Sequence, residues 1–289
     1  MPRLPHSIGT MAQLFVNRLT VIDCSYLDSE RGLLGESWIV DIVLSGGLDD
    51  QGMVLDFGEV KRSVKRLIDE RFDHKLLVPA QHDGLIQTTR DRQLHIDFRT
   101  RDGGTIRHRS PPDAVTLIES AAVTQESMVR AIESALRPIM PANVETLSIR
   151  LSTETIEGAC YQYSHGLKLH CGNCQRIAHG HRSRLLIERN GERDTALEND
   201  WCQRWHDIYI GTREDLVEQN PGEMTFAYEA EQGQFQLQLP AGHCYLIDTE
   251  STVENLAQHI ADTLKDEHPG DSFRVWAFEG VDKGAIGEA

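Results

Sequence analysis

No apolar run in this chain approaches the roughly 20 residues that cross a bilayer, so no transmembrane helix is expected. The first ten residues, 1–10, have no apolar core segment, which argues against a secretory signal; they are expected to be loose. Cysteine is scarce. Six cysteines scattered over 289 residues cannot form a disulfide scaffold, so the thiols are read as reduced and the protein as cytoplasmic. Basic charge is also scarce: 29 lysines and arginines face 45 acidic residues, a net charge of −16. Phosphate neutralisation needs a basic face, and with no long basic run a nucleic-acid partner is not expected. No flexible linker interrupts the chain. A hydrophobic content of 39% suffices for a packed core, and the length fits one large domain or two ordinary ones.

Histidine is present in force, and it is concentrated. Residues 161–181 hold four of the 13 histidines and two of the cysteines. His179 and His181 are two apart, so on a strand both point to one face. His165 lies upstream on a segment that can pair alongside. Three neutral imidazoles with an open fourth position are the ligand set of a catalytic zinc. A competing reading is a zinc knot through His170, Cys171 and Cys174, because Cys-x-x-Cys is a usual zinc spacing.

The pattern of elements repeats once. The first half has strand-like runs at Leu14 to Cys24 and Ser37 to Leu44, then a helix from about Gly58 to Arg71 with Val60, Val64, Leu67 and Ile68 at helical spacing. Two polar strands follow over 93–108. A helix over about Gln125 to Arg137, capped by Thr124, leads into a strand from Glu145 to Leu151. The second half has a strand near Tyr161, then one from about Arg182 to Arg189 ending at Asn190-Gly191, a hairpin signal. Strands surround Gln232-Gly233. A helix from about Val253 to Lys265, capped by Thr252, precedes a last strand, Phe273 to Phe278. The order implies a duplicated antiparallel-sheet-plus-helices unit, an α+β architecture. The expected division is a loose 1–10, a first unit over 11–160 and a second over 161–289. Trp201 and Trp205, four apart, read as packing residues.

The second half resembles the 6-pyruvoyltetrahydropterin synthase / 6-carboxytetrahydropterin synthase family. Tyr163-Ser-His165-Gly-Leu167 and His179-Gly-His181 match its histidine elements, and Cys174 sits about where the family carries its catalytic cysteine. Thr252-Val-Glu254-Asn255-Leu-Ala257 matches its helix start, and Glu279 falls where its pterin-anchoring glutamate lies. The first half is similar to the same family through a different subset: Gly52-Met-Val-Leu-Asp56-Phe57 and Phe72-Asp73-His74-Lys-Leu-Leu77, with echoes at Glu126 and Glu154. There the metal positions fall on Ser25, Leu34 and Glu36, which do not make a zinc site. The second half in turn lacks the Asp-His element; an unfamiliar stretch, Asp200 to Tyr209, stands in its place.

The resemblance implies two tandem tunnelling-fold units, each an antiparallel sheet with two helices on one face. It implies a homo-oligomer, of roughly three chains for a duplicated subunit, and a zinc-dependent lyase of pterin or deazapurine biosynthesis. The implied substrate is 7,8-dihydroneopterin triphosphate, with a 6-pyruvoyl or 6-carboxy product. His165, His179 and His181 would hold zinc, and Cys174 would move protons, with Cys171 the substitute. Asp73 and His74 would complete the site within or between chains. Glu279 would hold the ring, and Thr252 and Glu254 would line the pocket. Two other readings stay open: a GTP cyclohydrolase-like or related enzyme on the same fold, and a non-catalytic pterin-binding or structural paralogue.

Overall fold

The computed structural model describes residues 11–289; the segment 1–10, expected to be loose, lies outside them. The fold is α+β, as the pattern implies. No helix among the described residues is long and apolar enough to cross a membrane.

Contacts divide the chain into two compact units that do not follow the two halves of the sequence. Among the described residues, one takes 11–22, Trp38–Asp73 and Thr124–Thr153; the other takes Asp23–Ser37, His74–Val123 and Glu154–Ala289. The reason lies in two long strands, Met11–Asp28 and Gly32–Gly47, each of which runs from one unit into the other.

In the first unit, Ile39–Gly46 pairs antiparallel with Val144–Ser152, with a register shift between Ser45 and Gly46. The helical stretch 57–71 starts on Asp56, whose carboxylate accepts from the Gly58 and Glu59 amides. Val60, Val64 and Ile68, four apart, form its buried stripe. Helix Gln125–Leu136 begins in a capping box in which Thr124 and Ser127 bond each other's backbone amides. It buries Met128, Ile132 and Leu136, and Glu133 accepts from the Ile149 amide.

The second unit is built on three ladders. Strands Leu76–Pro79 and Val115–Ile118 run parallel, and Leu76–Leu77 also runs parallel to Ser25–Tyr26. A second ladder has the order Cys244–Ile247, Ile208–Thr212, Cys160–His165, His179–Arg189, Phe273–Phe278, Gly284–Glu288. Ile208–Thr212 is parallel to both neighbours, an exception to the antiparallel expectation. Helices Thr195–Arg204 and Val253–Glu267 join this ladder in one apolar core, which holds Tyr161, Leu185, Trp201, Trp205, Leu256, Ile260 and Val275. The unfamiliar stretch at 200–209 is thus a helix end and a strand, and both tryptophans are core. Arg189 turns through Asn190 and Gly191, both at positive φ, to pair with Glu192. The third ladder is antiparallel throughout and draws strands from both sequence halves: Leu216–Asn220, Glu223–Ala230, Gly233–Pro240, Thr105–Ser110, Gln93–Arg99 and Leu85–Arg90.

Candidate metal centre

The three histidines come together because two strands place them in register. His179 lies directly across from His165, and His181 across from Tyr163, on the antiparallel pair Cys160–His165 and His179–Arg189. The glycine between the histidines is required by a close approach. A Cβ on Gly180 would lie 2.4 Å from the Tyr163 carbonyl oxygen and 2.7 Å from the Gly35 Cα. A Cβ on Gly35 would lie 1.9 Å from that same oxygen and 2.5 Å from the His181 amide nitrogen. This contact brings the segment Asp23–Ser37 against the histidine strands, where Ser25 Oγ donates to Ser164 Oγ at 2.7 Å.

The ring centroids of His165 and His179 are 4.4 Å apart, and each lies within 5.7 Å of His181. One nitrogen of each histidine lies within 4.8 Å of the others, and all three side chains are at most 1% exposed. His165 Nδ1 stands 3.0 Å from the Ser251 carbonyl oxygen, and His179 Nδ1 3.0 Å from that of Arg176. A carbonyl only accepts, so both Nδ1 atoms carry the hydrogen and both Nε2 atoms are bare lone pairs. His181 Nδ1 faces Asp23 Oδ1 at 3.2 Å. Nε2 of His165, His179 and His181 has no hydrogen-bond partner among the described residues. Burial drives the basicity of His165 and His179 well down, so both stay neutral. Buried unsatisfied polar atoms are costly, and three imidazole nitrogens gathered within 4.8 Å of one another fit a cation.

The Asp23 carboxylate is held well below the usual range. Burial alone would raise it, but His181, Lys283 and Ser37 outweigh that effect. Ser37 Oγ donates to Oδ1 at 2.5 Å, and Lys283 Nζ lies 3.2 Å from Oδ2.

His74 and Cys174 stand next to this group. A nitrogen of His74, the Cys174 sulfur and a nitrogen of His179 lie within 4.8 Å of one another. The His74 ring centroid is 5.2 Å from that of His179 and 6.3 Å from that of His181. His74 takes a φ of 52°, a left-handed conformation uncommon outside glycine. Its amide donates to the Asp23 carbonyl at 2.7 Å, and Arg176 Nη1 donates to its carbonyl at 3.2 Å. The sequence element Asp73-His74 is thus split: Asp73 ends one compact unit and His74 begins a segment of the other. Cys171 is exposed, and His170 is turned back on its own loop, accepting from the Gly172 amide. Neither belongs to a metal-capable grouping among the described residues.

Glu279 follows the strand Phe273–Phe278. Its Oε1 is 3.9 Å from His181 Nε2 and its Oε2 3.8 Å from Lys283 Nζ. Thr252 caps the helix Val253–Glu267, accepting from the Asn255 amide, and Glu254 is exposed in the first turn. The first-half positions are engaged otherwise: Leu34 is in the core, and Glu36 accepts from the Ser37 amide and from Gln162. Glu154 Oε1 lies 3.5 Å from Arg184 Nη1. Sequence reasoning missed Asp23, Ser37, Ser251, Arg176 and Lys283. Only Ser251 carried a signal, its place beside the Thr252 cap.

A buried trio of imidazoles, backed by a carboxylate and flanked by a thiol and a fourth histidine, defines a candidate metal centre on an α+β scaffold. Residues 24–163, a little under half of the chain, match the family model described as 6-pyruvoyl tetrahydropterin synthase. A protein of Methanocaldococcus jannaschii named "Putative 6-carboxy-5,6,7,8-tetrahydropterin synthase" is 27% identical over 133 residues, which is 44% of this chain and 78% of that protein. The 6-pyruvoyl tetrahydropterin synthase of Plasmodium vivax is 20% identical, with 50% of this chain and 91% of that one covered at a TM-score of 0.41. That of Plasmodium falciparum is 19% identical, with 50% and 92% covered and a TM-score of 0.41. The family match ends before His165, so the histidine trio lies outside it while His74 lies inside.

Proposed function

We propose that the chain is a zinc-dependent pterin synthase acting on 7,8-dihydroneopterin triphosphate, with one metal centre per chain. The observation that carries this reading is the buried histidine trio, whose Nε2 atoms have no partner among the described residues, with His165 and His179 set in their tautomers by bonds at Nδ1. That donor set suits zinc, and His165, His179 and His181 would hold it. Bound there, zinc supplies a Lewis acid beside the substrate's side-chain oxygens.

The chain's own residues supply the rest. Cys174, as thiolate, takes a proton from a side-chain carbon. His74, beside it, is the partner that returns or relays the proton, with Asp73 as its neighbour in the Asp-His element. The Glu279 carboxylate accepts hydrogen bonds from the ring's amino and N3–H groups, a bidentate match. Thr252 and Glu254 stand at the helix start that Ser251 links to His165. Triphosphate leaves and the side chain rearranges to a 6-pyruvoyl product; in the 6-carboxy branch water is taken up and the two outer side-chain carbons leave as acetaldehyde. The complementary losses of the two sequence halves support this reading, because the Asp-His element of one and the histidines of the other make one set. A homo-oligomer of about three chains and a cytoplasmic location belong to the same reading.

Metal analysis with a product assay tests it. One tightly bound zinc per chain is expected, and two would sink the single-centre reading. Mass analysis after incubation with dihydroneopterin triphosphate and, separately, with GTP identifies the reaction. Cys174→Ala is expected to abolish turnover and keep the zinc; full turnover in that variant removes Cys174 as the base.

A further inference from the structure

The loop that carries Cys174 is held by an element the proposed chemistry does not use. Strands Glu223–Ala230 and Gly233–Pro240 form a hairpin whose tip is Glu231-Gln232. At that tip Gln232 makes three bonds to the Cys174 loop. Its amide donates to Gln175 Oε1 at 2.6 Å, its Nε2 donates to Asn173 Oδ1 at 2.9 Å, and its Oε1 accepts from Arg176 Nε at 3.0 Å. Asn173 and Gln175 are the two chain neighbours of Cys174. The Tyr228 hydroxyl, on the same hairpin, donates to the Gln175 carbonyl at 2.8 Å. It occupies the space above Gly166, where a Cβ would meet it at 2.1 Å.

Arg176 extends the connection. Its guanidinium reaches from Gln232 to the carbonyl of His74, while its own carbonyl holds His179. One glutamine side chain is therefore bonded to the side chain of Asn173, the residue before the thiol, and through Arg176 to the backbone of the histidine beside it. Neither link passes through the Nε2 atoms of the trio.

We propose that Gln232 is a positioning residue that sets Cys174 against His74. This rests on the reading of Cys174 and His74 as the proton-transfer pair. Removing the side chain with Gln232→Ala frees one face of the loop and of the Arg176 side chain and removes no hydrogen bond made to the trio. The expected result is a kcat lowered between about tenfold and a hundredfold, as misplacement of a reacting group produces, with KM within about twofold. Zinc content stays at the wild-type level. Iodoacetamide, read by peptide mass, alkylates Cys174 at least about threefold faster, while Cys171 is unchanged. Gln232→Glu keeps the acceptor for Arg176 and loses the donor to Asn173, so it falls between; it is read in place of alanine if that variant does not fold. Gln236→Ala, on the same hairpin, controls for general loosening and behaves as wild type. Wild-type kcat and wild-type Cys174 alkylation in folded Gln232→Ala overturn the proposal. Loss of zinc also overturns it, because Gln232 would then serve the metal and not the thiol. If the wild-type protein turns over no pterin, the functional reading fails by itself, and the alkylation comparison still decides this one.

Discussion

Replacing Gly180 by alanine tests whether the crossing of the Asp23–Ser37 segment over the histidine strands sets the metal centre. The new Cβ would meet the Tyr163 carbonyl oxygen at 2.4 Å, the Gly35 Cα at 2.7 Å and the Ser25 hydroxyl at 2.8 Å. Two of these obstacles are backbone and cannot rotate away. Overpacking a core typically costs 1–3 kcal/mol, and the backbone character places this case near about 3 kcal/mol. At roughly 2–4 °C per kcal/mol for a unit of this size, the melting temperature should fall by about 6–12 °C. The strain falls between His179 and His181, so zinc affinity should fall with it. Gly35→Ala attacks the same contact from the other side, with its Cβ against the His181 backbone at 2.5 Å. Once the strands have parted for one methyl group the second meets less resistance, so the double variant should lose clearly less than the sum. The assays are thermal unfolding followed by circular dichroism and zinc titration against a competing chelator. A Gly180→Ala protein that melts within about 2 °C of wild type and binds zinc equally well would refute the steric argument.

Other expectations concern charge and metal support. Asp23→Asn removes the carboxylate behind His181, and zinc affinity should weaken by about 10–100-fold in the same titration; an unchanged affinity would show that Asp23 does not orient this histidine. Burial pushes the Glu36 carboxyl up to about 7 from 4.5, so between these values the folded state binds the extra proton. Stability should therefore fall as pH rises from about 4.5 to about 7 and level off above, by about 3 kcal/mol at most for this group. Glu36→Gln should flatten that slope in denaturant titrations at pH 5 and pH 8; an unaltered slope rules Glu36 out as its source.

The helices were legible because their stripes are local. Val60, Val64 and Ile68 recur every four residues, and Thr124 and Thr252 announce their caps. The histidine trio was legible for a similar reason: His-x-His on a strand fixes a shared face, and one antiparallel pairing supplies the third member. What was not legible depends on contacts far apart in the chain. Asp23 meets His181 only because Gly35 and Gly180 let two backbones approach, and no local pattern encodes that. Gln232 reads as an ordinary turn residue until the hairpin is placed beside Cys174. The compact units escaped the sequence because two strands pass from one to the other, so composition does not change at the boundary. Helix Thr195–Arg204 lacks a clear stripe, since its buried positions, Glu198, Trp201 and Cys202, mix a charge with apolar groups.

The supports behind the trio differ in how easily mutation can remove them. His165 and His179 each lean on a main-chain carbonyl, at Ser251 and Arg176. Almost any side chain at those two sites leaves the carbonyl in place, so neither histidine's orientation is within reach of a single base change at its support. An insertion or deletion that shifts either segment by one residue would turn the carbonyl away. His181 leans on a side chain, and Asp23 can be erased in one step. Under random substitution the centre should thus drift first at His181, and under insertion at the loops before His179 and Thr252.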